Sequence, residues 1–165
     1  MDQDKIWEFF QNDESIGNMA FQADLRYVFL ASQIKHGERV LNIGVGRGGL
    51  EALLIEKNVE IYCLDPSEKS ILALRERFGL SERAKVGYSQ CIPFENDSFD
   101  VVVMSEVLEH LSDDVLHATV TECHRIIKTG GKFIGTVPAE EDLQESVVVC
   151  AHCGTVAHRW GHHQS

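Results

Sequence analysis

The stretch "VLNIGVGRGGLEALL", Val40 to Leu54, decides how the rest of the chain is read. An apolar run ends at Asn42, and Gly44, Gly46, Gly48 and Gly49 then precede an amphipathic segment. A strand that feeds a helix through glycines makes a tight turn and brings the helix's first amides against a ligand that a Cβ would push away. Gly44, Gly46 and Gly49 satisfy the spacing G-x-G-x-x-G, and Asp65 follows about 20 residues on, where an acid accepts ribose hydroxyls. The ligand is therefore expected to be nucleotide-like. The spacing by itself also suits a nicotinamide-dependent oxidoreductase, or a bare strand-to-helix crossing with Asp65 and Pro66 as turn residues.

Working outward, β-branched runs alternate with helical periodicity past residue 38, the pattern of a parallel sheet covered by helices. Strands are predicted over 39–45, 60–65, 84–89, 99–106 and 131–138. One helix is predicted from the N-cap Ser67, with Ile71, Leu74 and Phe78 on one face and Gly79 as its stop. Another begins near Ser112 with Asp113 and Asp114, carries Leu116, Val120, Cys123 and Ile127 inward, and ends at Lys128 before Gly130 and Gly131. Residues 1–38 read as a helical, aromatic cap (Trp7, Phe9, Phe10, Phe21, Tyr27, Phe29), either a lid or plain core packing. Residues 39–142 form the core, and 143–165 a Cys/His-rich segment of the same domain.

At 165 residues, with 44% hydrophobic and 25% charged side chains, the chain suits one globular domain. A net charge of -11 repels a phosphate backbone, so no nucleic-acid partner is expected. The chain has no 18-residue apolar run and no basic-then-apolar leader, so it reads as cytoplasmic without a membrane partner. Cys63, Cys91 and Cys123 read as small buried apolar residues.

Four motifs in order, "VLNIGVGRGG", "LDPS", "IPFENDSFDVVVMSEVLEHL" and "ECHRIIKTGGKFIGTVP", resemble the class I S-adenosylmethionine-dependent methyltransferases over roughly residues 38–138. The resemblance implies an α/β, Rossmann-like doubly wound sheet with its C-terminal strands truncated or replaced by a small Cys/His hairpin. It also implies S-adenosyl-L-methionine as cofactor. By that resemblance Gly44, Gly46 and Gly48 underlie the cofactor, Asp65 with Pro66 holds the ribose, Gln90, Cys91 and Ile92 flank the adenine, and Ser105 and Glu106 face the methionine end. Two positions depart from the family pattern. Asn42 stands where an acid commonly precedes the glycines, a change from a charged to a neutral hydrogen bond on the order of 1 kcal/mol. Tyr88 stands where an acid often meets the adenine amine.

Methyl transfer needs alignment of a nucleophile and exclusion of water, and a hydroxyl acceptor adds the need for a base. Glu106, Glu109 and His110 are the candidates, since a helical "SEVLEHL" places all three on one face. The same E-x-x-E-H string resembles that of metal-assisted O-methyltransferases, where it holds a divalent ion; acids at a helix start explain the carboxylates equally. In the C-terminal segment, Cys150, Cys153, His158 and either His162 or His163 have the spacing of a zinc knuckle, a closed structural site pinning a hairpin of segments 145–150 and 155–159. The alternative is a mobile tail. The expected activity is O-methylation of a small molecule or glycan. A catalytically silent cofactor-binding or zinc-pinned interaction protein is the competing reading.

Overall fold

The structure is a computed structural model that describes residues 23–164. Trp7, Phe9, Phe10 and Phe21 of the expected cap lie outside the described residues. Helix α1 (Ala23–Ser32) leads into β1 (Arg39–Ile43), α2 (Gly49–Glu56), β2 (Glu60–Asp65), α3 (Glu68–Phe78), β3 (Ala84–Val86) and β4 (Phe99–Ser105). A 3-10 turn at Leu108–His110 precedes α4 (Asp113–Ile126), β5 (Ile127–Thr136) and a hairpin of β6 (Val147–Val149) and β7 (Val156–His158).

The five strands β1 to β5 pair in parallel in the order β3-β2-β1-β4-β5. The chain moves outward from β1 through β2 to β3, then returns to the other side of β1 for β4 and β5. That reversal opens a crevice beyond the C-terminal ends of β1 and β4, where doubly wound sheets bind ligands. Strand alternation divides the core accordingly. Val40 faces Leu30, Leu50 and Ile71 on the side of α1, α2 and α3, while Leu41 and Ile43 face Phe99, Cys123 and Ile126 on the side of α4. Helix α3 starts and stops where its residues dictate: Ser67 Oγ accepts from Ser70 N, and Gly79 closes the helix at φ 64°.

Several boundaries differ from the sequence reading. β1 stops at Ile43 because Gly44 turns to φ 82°, and β4 stops at Ser105 because Glu106 adopts φ 55°. β3 is only three residues, and Tyr88, which follows it, is exposed. β5 begins at Ile127, directly after α4, with an irregular register between Phe99 and Val101. Helix α4 buries Thr119, Cys123 and Ile126, whereas Val120 is 55% exposed. The face is rotated by one residue because the Thr119 hydroxyl has a buried partner, Ser89 Oγ, at 2.7 Å. Cys63 and Cys123 are buried, but Cys91 is exposed in the loop after β3. In α1, Tyr27 packs on the core while Phe29 points outward. Among the described residues no helix is long and apolar enough to cross a membrane.

Candidate active site

The glycine turn divides its duties in a way that spacing alone does not reveal. A Cβ on Gly44 would overlap Val107 Cγ2, so this glycine lets the loop after β4 close onto the end of β1. A Cβ on Gly48 would lie 2.6 Å from Leu74 Cδ2, and one on Gly49 2.5 Å from Tyr27 Cε2; these two serve helix packing. Gly46, at φ 52°, has nothing within 4 Å of its would-be Cβ, and is the glycine of the turn that faces open space. Asp65 ends β2 beside it, 3% exposed, with Oδ2 accepting from Val45 N at 2.9 Å and Oδ1 from Ser67 N at 2.8 Å. The carboxylate thus ties the glycine turn to the start of α3, and Pro66 is exposed between them.

Beneath the turn Asn42 is 3% exposed and donates from Nδ2 to Glu51 Oε1 at 2.6 Å. Glu51, fully buried on α2, was not visible as a site residue in the sequence, since nothing local marks it. Burial raises its pKa above the usual carboxylate value, against the lowering effect of the Asn42 bond. Across the crevice Gln90 and Cys91 are exposed while Ile92 is buried. Ile92 is held by its N–H to Glu122 Oε2 at 2.8 Å and by Arg125 Nη2 to its carbonyl at 2.9 Å.

The loop after β4 is not the helix expected. Ser105 Oγ pairs with Thr136 Oγ1 at 2.9 Å, and Glu106 lies in a turn with its carboxylate 3.8 Å from Arg26 Nη1. Helical spacing therefore does not gather the three candidates: Glu109 and His110 sit together in the 3-10 turn, and Glu106 points to α1. The left-handed backbone at Glu106 is what breaks the face. Glu109 is 2% exposed, and among the described residues neither carboxylate oxygen has a hydrogen-bond partner. Burial, with the Glu106 charge adding, pushes its pKa up to about 7. Burial, with neighbouring His162 adding, pushes His110 down to about 4, so its imidazole is neutral at pH 7.

The C-terminal hairpin forms, with Val147 opposite His158, but not around a four-ligand knuckle. Cys150 and Cys153 lie at its tip, closed by Gly154 N to Cys150 O at 2.8 Å, while His158 and His162 lie at its base. Among the described residues no group of three potential ligand atoms within reach of one ion includes a cysteine. His163 is exposed, its N–H donating to Glu109 O at 2.6 Å. The histidines instead meet Glu141, another residue the sequence did not single out. Its carboxylate hydrogen-bonds His162 Nδ1 and stands 3.4 Å from His158 Nε2.

A parallel sheet with this strand order, a glycine turn after β1 and an acid ending β2 place the chain in the doubly wound α/β class. Residues 40–131 match the methyltransferase domain family, and the chain belongs to it. It is 34% identical over 103 residues to the ubiquinone biosynthesis O-methyltransferase of Idiomarina loihiensis, covering 59% of this chain and 41% of that protein. It is 33% identical over 117 residues to the ubiquinone/menaquinone biosynthesis C-methyltransferase UbiE of Xanthomonas oryzae, covering 65% of this chain and 45% of that one. The chain thus spans less than half the length of either relative. Among solved structures it resembles a Haloferax volcanii methyltransferase determined with the Trm112 activator: TM-score 0.65, 26% identity, 79% of this chain and 59% of that one. Family membership sets aside the oxidoreductase that the glycine spacing alone allowed.

Proposed function

We propose that the protein binds S-adenosylmethionine in the crevice between β1 and β4 and transfers a methyl group to an oxygen of a small molecule or glycan. The residues present fit that cofactor: Gly46 leaves room for close approach to its backbone, and the Asp65 carboxylate at the end of β2 holds that turn against the start of α3. S-adenosylmethionine carries a methyl group already activated by its sulfonium, so what is asked of the chain is positioning and water exclusion. Asp65 keeps the turn and α3 in register, and Arg125 holds the 92–96 loop through the carbonyls of Ile92 and Phe94 at 2.9 Å each.

The observation that carries this reading is the contact of Val107 with Gly44. It brings the segment bearing Ser105, Glu106, Glu109 and His110 against the glycine turn, so the chain's basic side chains flank the crevice. The adjacent Glu109 carboxylate and neutral His110 imidazole suit removal of a hydroxyl proton, which favours oxygen over carbon as the methylated atom. The named relatives include both an O- and a C-methyltransferase.

Calorimetric titration with S-adenosylmethionine and S-adenosylhomocysteine tests the cofactor assignment: micromolar binding of both is expected, and no binding of either overturns it. Transfer of a radiolabelled methyl group to phenolic or sugar hydroxyls, measured on the full chain, then tests the acceptor class. A second reading, a cofactor-binding protein without transferase activity, draws on Asn42, whose amide is turned to Glu51 where the family pattern has an acid. Binding of both cofactor forms without transfer to any hydroxyl, amine or activated-carbon acceptor would favour it.

A further inference from the structure

We propose that Glu109, His110 and His162 form a single divalent-cation centre, with Glu141 as the carboxylate that orients His162. Two distant sequence features converge there. Residues 161–164 lie back over the 3-10 turn: His163 N and Gln164 N donate to Glu109 O at 2.6 and 3.1 Å, and Gln164 Nε2 donates to Leu111 O at 3.2 Å. The His110 and His162 rings come to 4.6 Å between centroids. One ligand atom from each of Glu109, His110 and His162 then lies within 4.8 Å of the other two. Ligands about 2.1 Å from a tetrahedral ion are roughly 3.4 Å apart, so closure requires an inward shift of about an ångström or somewhat more.

The independent sign of a missing partner is Glu109 itself. Its carboxylate is 2% exposed and, among the described residues, has no hydrogen-bond donor at either oxygen. A carboxyl group taken out of water in this way needs a cation or a proton. The neighbouring imidazoles are arranged to present nitrogen lone pairs. His110 turns Nδ1 toward Gly161 O at 3.5 Å and Nε2 toward Glu109 Oε1 at 3.8 Å. His162 gives Nδ1 to Glu141 Oε2, which leaves Nε2 as its ligating nitrogen. This is the carboxylate–histidine arrangement that fixes the tautomer of a metal-binding ring.

The same logic excludes the neighbouring triad of Glu141, His158 and His162. His158 Nδ1 accepts from the N–H groups of His162 at 3.2 Å and Trp160 at 3.4 Å, so its proton resides on Nε2, facing Glu141. It also separates Glu106, turned to Arg26, from the ligand set. One carboxylate and two imidazoles suit zinc, cobalt or manganese rather than calcium. If the methyl-transfer reading holds, on which this consequence alone rests, the ion stands at the acceptor end and lowers a hydroxyl's pKa.

The test is calorimetric titration of the chelator-treated 165-residue chain with Zn2+ and Co2+ in a Cys150→Ser/Cys153→Ser background, which removes thiol ligands. One equivalent is expected to bind, with affinity falling at least 100-fold in His162→Ala and in the isosteric Glu109→Gln. A 10- to 100-fold loss is expected in Glu141→Gln. Circular dichroism confirms that each variant is folded, and Glu109→Gln keeps the test decisive should His162→Ala not fold. Absence of binding in the thiol-free background, or unchanged affinity in Glu109→Gln, overturns the proposal. Ion binding without any binding of S-adenosylhomocysteine would overturn the methyl-transfer reading and leave the centre standing.

Discussion

Asn42 and Glu51 meet inside the core, amide Nδ2 to carboxyl Oε1 at 2.6 Å, directly under the glycine turn. Asn42 Oδ1 and Glu51 Oε2 have no hydrogen-bond partner among the described residues. The pairing explains why an amide is compatible with a position where the family pattern has an acid: the acid comes from α2, and a second carboxylate on β1 would face it.

Glu51 makes stability fall as pH rises. Burial raises its pKa in the folded chain, so above the unfolded value of about 4.3 the unfolded state releases a proton that the native state retains. Stability is then lost progressively until the pH passes the folded pKa. Glu51→Gln should abolish this dependence and be more stable than the parent at pH 8 relative to pH 5. Urea denaturation across that range checks it; identical pH slopes for parent and variant would contradict the assignment.

Gly44→Ala and Gly46→Ala should separate folding from binding. At Gly44 the added methyl meets Val107 and the backbone is at φ 82°, so a loss of about 2–4 kcal/mol in denaturant stability is expected. At Gly46 the methyl enters open space, and only the left-handed backbone costs, about 1 kcal/mol. Its larger effect should be a tenfold or greater loss of S-adenosylhomocysteine affinity by calorimetry.

Asp65→Asn tests the carboxylate that bridges Val45 N and Ser67 N. Whichever way the amide is turned, its NH2 faces one backbone N–H, a loss of about 1–3 kcal/mol in stability. Cofactor affinity should fall further than stability does, which thermal melts with and without S-adenosylhomocysteine would show.

Arg125→Lys should loosen the 92–96 loop. The guanidinium binds Glu122, the carbonyls of Ile92 and Phe94, and Asn96 Oδ1, a fork that one ammonium cannot reproduce. About 1–2 kcal/mol of destabilisation is expected, with faster amide exchange at residues 92–96.

Cys153 should be the most reactive thiol. It is exposed, and hydrogen bonds from Thr155 and then Cys150 bring its pKa down to about 7, whereas burial pushes the Cys123 thiol up to about 12. Alkylation followed by mass spectrometry should label Cys153 first, at a rate that rises through pH 7 and levels off above it.

The amino-acid sequence alone determined the alternation of strands and helices from β1 onward, the bounds of β2 and α3, the glycine turn and the strands of the C-terminal hairpin. These rest on local signals: β-branched runs, helical spacing, Ser67 as cap and Gly79 as stop. Tertiary structure decided what such signals cannot carry. Thr119 rather than Val120 is buried because Ser89 arrives opposite it, and Glu106 leaves the Glu109 face because its backbone turns left-handed toward Arg26. Glu51, Glu141 and the approach of His162 to Glu109 have no signature in sequence, since each depends on segments about 10 to 50 residues apart being folded onto one another. The thiols and histidines, adjacent in sequence, are parted because an antiparallel hairpin places its tip and its base at opposite ends.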